Sequence, residues 1–439
     1  MQPTQRSIFF FWLPLAATWL MMAAEGPFLA AVIARLADAK FNLAAYGVAY
    51  AFAILVEAPV IMLMSAATAL GRDREAYRRL RNFMWGLNVI ATGLLLGILI
   101  PAVHTLVMEG IVGLPEEVSR ITYGALWLFL PWPAAIGYRR FLHGLLIRSG
   151  KTRLVAYGTV LRLVVMAVVA VALYQLAPWP GAWVGAASLS AGVVAEALAA
   201  HGMARQTVRS LRDKPESEPG PRGRITYTGI ARFYYPLALT SLIGLAVQPM
   251  LTFFMGRAPL PLESLAVFPV VHALSFIFRS LGLSFQEAAI ALLGDRHEHV
   301  DPVSRFAMVL GVGSSVALAL VAFTPLADVW FVRLSGLDAE LAAFAIWPTR
   351  ILVPLPALSV WLSYQRAVLV QAHRTAPITV ATSLEVLVIA VVFVLGGWVF
   401  GMVGVTAAFL AFLGGRTAAN LFLVRRVARS LERSREDWA

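Results

Sequence analysis

Hydrophobic positions in this chain neither alternate nor form a narrow helical stripe. They come in nearly unbroken runs of about twenty residues or more, the length that crosses a hydrocarbon core. Read against charged residues and Gly/Pro punctuation, the runs predict twelve spanning helices. These lie at 7–34, 43–70, 83–108, 119–147, 152–176, 182–205, 229–256, 262–293, 304–330, 340–365, 376–397 and 400–424. Between the sixth and seventh lies "RSLRDKPESEPGPRGR", polar and rich in Pro and Gly, which reads as a cytoplasmic linker. The expected organisation is an N-lobe over 1–205, a linker over 206–227, a C-lobe over 228–425 and a basic cytoplasmic tail over 426–439.

Composition supports an all-α polytopic membrane protein: 59% of residues are hydrophobic and 14% charged, against roughly 25% charged in soluble domains. The net charge of +12 does not point to nucleic acid. Most basic residues sit in the even-numbered loops, in "RDREAYRRLR", "RR" with "RSGKTR", the linker, "DRHEH" and "AHRT", and at the two termini. The odd-numbered loops hold few, so both termini are expected on the cytoplasmic side. "MQPTQRS" runs straight into apolar sequence with no small-residue cleavage site, which predicts a retained first helix. Cysteine is absent, which removes disulfides, thiol chemistry and Cys-based metal sites. Arg outnumbers Lys 33 to 3, a bias associated with GC-rich bacterial genomes, and the expected location is a bacterial cytoplasmic (inner) membrane.

The two halves repeat one another. Residues 14–35 and 236–257 share nine of twenty-two positions at an ungapped offset of 222, including Pro14/Pro236, Pro27/Pro249 and Arg35/Arg257. Further on, offset 223 pairs Pro131, Pro133 and Thr159 with Pro354, Pro356 and Thr382. Six helices per half means parallel repeats related by an axis along the membrane normal, with any substrate path between them.

Charges inside apolar runs are the candidate chemistry, because an unpaired buried charge is costly and marks function by default. Glu57 stands alone in "AFAILVEAPVIMLM", and adding 222 leads to Arg279 in "SFIFRSLGLSF". The repeat axis predicts that these two face each other across a central cleft and pair when the lobes close. Arg162 plus 223 is Glu385, and Glu196 and Arg416 fall close to a third such pair. The alternative for both of these pairs is structural ion pairing within one half. In the eighth helix His272, Ser275, Arg279, Gly282 and Gln286 recur at three- and four-residue spacing, the pattern of a polar wall, with Glu287 just off it. Arg350 precedes two helix-bending prolines, and Glu25 adjoins Gly26-Pro27. The expected substrate-binding residues are Arg279, Arg350, His272, Gln286 and Ser275; the expected coupling or gating residues are Glu57, Glu25, Arg162, Glu385 and Glu287. No phosphate-binding GxxxxGK[ST] loop or nucleophile–base pair stands out, so no enzymatic activity, cofactor or metal is expected.

Several stretches resemble the multidrug/oligosaccharidyl-lipid/polysaccharide flippase superfamily, and within it the progressive-ankylosis family of exporters. They are "LPLAAT" in the first helix, "AAYGVAYAF" (44–52), Arg72-Asp73-Arg74, "FYYPLAL" (233–239), "FPVVH" (268–272) and "WPTRILVPLPAL" (347–358). Glu57 departs from the pattern, where an uncharged residue is expected. The resemblance implies a MATE-like fold with a central cavity, rocker-switch alternating access and export of anionic metabolites such as pyrophosphate, nucleotides or citrate. Four arginines within spans (Arg162, Arg279, Arg350, Arg416) agree with an anion, since guanidinium grips phosphate or carboxylate bidentately. A proton- or sodium-coupled multidrug/cation antiporter, a flippase of a lipid-linked pyrophosphate, a major facilitator and a structural or receptor-like membrane protein are the alternatives. The expected partners are a small anionic substrate or lipid-linked anion, a coupling proton or sodium ion, and membrane lipids, with no nucleic acid and a monomeric state.

Overall fold

A computed structural model describes residues 3–33, 35–112, 114–213, 225–294, 297–335, 337 and 339–436. The described chain is helical, as runs without strand periodicity dictate. The first repeat comprises α1 (Gln5–Ile33), α2 (Ala39–Ile61), α3 (Leu63–Leu70), α4 (Arg74–Ile98), α5 (Pro101–Thr105), α6 (Glu116–Leu128), α7 (Trp132–Arg148), α8 (Thr152–Leu176) and α9 (Gly181–Asp213). The second comprises α10 (Tyr227–Met255), α11 (Pro261–Leu292), α12 (Val300–Phe323), α13 (Leu326–Asp328), α14 (Ala339–Ile351), α15 (Leu355–Gln371), α16 (Ala376–Phe393) and α17 (Gly404–Glu436).

Among the described residues nine helices are long and apolar enough to cross a membrane, or up to eleven if each of two bent pairs counts as one span. Twelve spans were expected. The shortfall is the predicted span 119–147, which is α6 and α7 joined at Pro131; its Trp, Tyr, Pro and Arg residues dilute the apolar run. The bent pairs explain why a single apolar run can hold two helices. One is bent by 76° just before Pro101, the other by 43° just before Pro354, and proline cannot donate the bond that would continue the ladder.

Element boundaries carry the duplication further than the sequence did. α1 and α10 match end for end at offset 222, and α6, α7 and α9 match α14, α15 and α17 at 223. π-helical turns recur at Leu106–Ile111 and Val329–Leu334, again at 223. Asp38 and Leu260, both with φ of 51°, provide equivalent left-handed entries to α2 and α11. The Asn42 Oδ1 accepts the Ala182 N–H at the start of α9, and the Ser264 hydroxyl oxygen accepts the Val405 N–H at the start of α17. Each bond satisfies an orphan donor of a helix N-terminus.

The chain forms two compact units, residues 20–241 and residues 1–19 with 242–439. Both boundaries fall inside the first helix of a repeat, α1 and α10, rather than in the linker. Within its unit, the Trp12 indole donates to the Ser284 hydroxyl at 2.9 Å and meets Phe306 edge-on at 5.7 Å. Within the other, Tyr234 donates to the Pro59 carbonyl and meets Phe83 edge-on at 5.2 Å. Trp12/Tyr234 and Phe83/Phe306 are repeat equivalents, so one aromatic anchor is used twice. Of the expected linker 206–227, residues 206–213 extend α9 and 225–227 enter α10; 214–224, with 437–439 of the tail, lie outside the described residues.

Candidate functional site

Each unit buries a cluster of charges on its own repeat-equivalent helices. In the unit 20–241, Arg162 on α8 donates to Glu25 on α1, and its other terminal nitrogen lies 3.4 Å from Glu196 on α9. Glu196, fully buried, also accepts from Arg139 on α7 and from the Thr159 hydroxyl at 3.0 Å. The order Glu25–Arg162–Glu196–Arg139 alternates in sign, so every charge is bonded to its opposite. That is how ions survive removal from water. Glu57 on α2 is 6% exposed and makes no hydrogen bond or ion pair among the described residues. Arg140, Arg139 and Arg162 nevertheless lie within its electrostatic reach. Arg139 and Arg140 were counted with the basic residues of the cytoplasmic side. Both lie inside α7, with Arg139 only 3% exposed and Arg140 half-buried, beside carboxylates on neighbouring helices.

In the other unit the signs at equivalent places are reversed. Glu385 on α16, which replaces Arg162, is bonded at 2.9 Å to Arg416 on α17. Arg366 on α15 donates at 2.9 Å to the Thr382 hydroxyl, the equivalent of Thr159. Both Arg366 and Arg279 on α11 lie within electrostatic reach of Glu385 and Arg416. Arg279 makes no ion pair among the described residues; its guanidinium stands 5.7 Å over the Phe412 ring. His272, two turns earlier on α11, stacks on Phe268 at 5.7 Å and approaches the same Phe412 at 6.0 Å. Ser275 is buried and its hydroxyl finds no hydrogen-bond partner among the described residues.

The within-half pairing weighed at the outset is therefore what the structure contains for Arg162, Glu196, Glu385 and Arg416. Glu196 and Arg416 differ by 220, about one helical turn short of equivalence. Glu57 and Arg279 belong to different units. Of the polar wall on α11, His272 and Arg279 share Phe412, and Ser275 lies buried between them on the helix. Gln286 and Glu287 are buried further along. Gly282 is a packing position: a Cβ there would come within 3.0 Å of the Val360 backbone on α15. Arg350 is engaged elsewhere, its Nε donating to the Ala322 carbonyl at 3.3 Å and its guanidinium standing 5.0 Å over Phe323. It holds the open end of α12, where carbonyls lack helical partners.

Arg139, Arg366, Thr382 and Phe412 were not singled out in the sequence as site residues. The Thr159/Thr382 repeat match was the available signal, since a shared register between two hydroxyls among apolar residues marks facing polar contacts.

Helices, repeats and buried charge clusters together define a polytopic membrane protein built as two related helical bundles. The fold is that of MATE transporters of the MOP superfamily. A MOP superfamily transporter from Pyrococcus furiosus, for which a reversed polarity of the binding pocket suggests a different function, aligns with a TM-score of 0.76 at 14% identity, covering 99% of this chain and 97% of that one. The Vibrio cholerae MATE transporter VcmN, in its bent form, aligns with a TM-score of 0.69 at 16% identity over 99% and 98%. A MATE in its straight conformation gives 0.77 at 15% identity over 99% and 98%. No protein-family model matches the sequence, and no curated protein matches it.

Proposed function

We propose that this protein is a secondary-active, alternating-access transporter, not an enzyme, that exports a small organic or phosphate-containing anion across a bacterial cytoplasmic membrane, as exporters of the progressive-ankylosis type do. One observation carries the sign of the cargo. In the unit 20–241 three carboxylates (Glu25, Glu57, Glu196) face three guanidiniums (Arg139, Arg140, Arg162). Around Glu385 in the other unit lie three guanidiniums (Arg279, Arg366, Arg416). A cluster with more buried guanidiniums than carboxylates is completed by an anion. Arg279, with no ion pair of its own, is the group that would take it, helped by His272 and Ser275; Gln286 extends the same helix face.

Glu57, buried among arginines without a direct bond, is the candidate carrier of a coupling proton, and Glu25 the candidate link to α1. Arg162, Glu385 and Glu287 serve as gating partners. The rival reading, a proton- or sodium-coupled cation antiporter, rests on that same Glu57. The test is a thermal-shift and uptake screen of citrate, pyrophosphate, nucleotides, cationic dyes and polyprenyl phosphates on the purified protein and on Arg279→Gln. Stabilisation by anions that disappears in Arg279→Gln is the expected result. Stabilisation by cationic dyes alone, unchanged in the variant, would replace this reading with the rival.

A further inference from the structure

A stack of three rings lies uncovered on the unit 20–241. Trp85 on α4 stacks on Tyr138 of α7 at 5.6 Å and 24°. Tyr138 in turn stacks on His201 of α9 at 6.1 Å and 27°, with its hydroxyl 2.5 Å from His201 Nδ1. Trp85 is 46% exposed and His201 is exposed as well. Beside the stack, Arg81 and Arg212 each stand 5.7 Å from the ring of Tyr77. Tyr138 lies within electrostatic reach of both arginines.

Two carboxylates at the start of α4 are occupied. Asp73 caps α4 by accepting from the Ala76 N–H, and Glu75 is tied to Arg79. Neither Arg81 nor Arg212 has an ion pair among the described residues.

Two helices present the same succession of surfaces in the same direction. From its N-terminus α4 shows Arg74, Arg78 and Arg81, then Trp85, then Val89 and Ile90, which are 70% and 62% exposed. From its C-terminus α9 shows Arg212, Arg209 and Arg205, then His201, then Leu198, which is 70% exposed. Basic, then ring, then bare apolar surface is the profile of a membrane–water interface. Arginines at that depth attract anionic headgroups, and amphipathic rings sit at headgroup level.

We propose that this surface binds an anionic phospholipid, its phosphate held by Arg81 and Arg212 and its acyl chains laid along Trp85, Tyr138 and the apolar stripe beginning at Val89. A soluble phosphate would engage the arginines but would leave the rings and the stripe bare. The lipid covers all three.

Native mass spectrometry of the full chain in detergent, titrated with phosphatidylglycerol or phosphatidylcholine, tests it. One phosphatidylglycerol is expected to remain bound where phosphatidylcholine is lost. Arg81→Gln with Arg212→Gln should weaken phosphatidylglycerol by roughly thirtyfold and leave phosphatidylcholine unchanged. Arg425→Gln with Arg429→Gln, an equal charge loss on α17, should change it by less than about threefold. Trp85→Ala keeps every charge and should still reduce retention, which preserves the test if the double variant does not fold. Equal losses in the two double variants, equal binding of both lipids, full retention in Trp85→Ala, or displacement by soluble glycerol phosphate would each overturn the proposal.

Discussion

Arg162 and Glu385 occupy the same place in the two repeats and carry opposite charge, and each is bonded to the last helix of its own repeat, to Glu196 and to Arg416. Duplication kept the position and inverted the polarity. In one unit the cluster around Arg162 alternates in sign, and in the other three guanidiniums lie around Glu385.

Loss of Arg162 strands Glu25 and leaves Glu196 with Arg139 alone. Arg162→Met should lower stability by about 3–5 kcal/mol, the cost of breaking a buried pair from one side. Adding Glu25→Gln should recover part of it, because Arg139 still neutralises Glu196. Detergent-phase thermal unfolding of the single and double variants reads this. No recovery in the double variant would show that the Glu25 bond is not what Arg162 stabilises.

Arg279 behaves in the opposite way, since it has no bonded carboxylate to strand. Arg279→Gln should leave the unfolding temperature nearly unchanged while weakening anion binding about ten- to a hundredfold, the loss of one charge-assisted bond. Isothermal titration with the anion identified by the screen measures it. A variant that binds normally removes Arg279 from the site.

Close helix crossings predict which glycines are irreplaceable. A Cβ on Gly144 would lie 2.4 Å from the Met64 carbonyl and 3.0 Å from the Thr68 nitrogen, both backbone atoms of α3. Gly144→Ala should therefore cost about 1–3 kcal/mol through forced separation of α3 and α7. Gly47, with nothing within 4 Å of its Cβ position, should accept alanine without loss. Unfolding curves of the two variants should separate clearly; coincident curves would contradict the crossing geometry.

The aromatic anchors of α1 and α10 should be graded by their polar atoms. Tyr234→Phe keeps the edge-on contact with Phe83 and removes the bond to the Pro59 carbonyl. The cost should be about 1 kcal/mol, and Tyr234→Ala should cost about 3–5 kcal/mol through the cavity. Equal destabilisation by both would mean that the ring contributes nothing.

The spans, the duplication and the buried charges were legible in the sequence, and for one reason. A bilayer gives backbone groups no water, so spanning segments must be long, apolar and helical, and a charge within one is conspicuous. Bends were half legible: the prolines after Arg350 were read as bending, while Pro101 lay inside a span predicted unbroken over 83–108, and neither turn, 76° at Pro101 nor 43° at Pro354, was readable in size. Pairing was not legible. Repeat arithmetic links Arg162 to Glu385, yet each is bonded within its own repeat, because contacts form between whichever side chains packing brings within bonding distance. Helix rotation decided that Arg162 meets Glu25 and Glu196, that Arg139 turns inward, and that Gly282 is a crossing point rather than a wall. Rotation about a helix axis depends on the shapes of all its neighbours at once, and a linear pattern of residues does not contain it. By itself, then, the sequence determined where the helices run, that they repeat and which charges are buried in them; only the tertiary structure decided which of those charges neutralise each other and which, like Arg279, have no ion pair among the described residues.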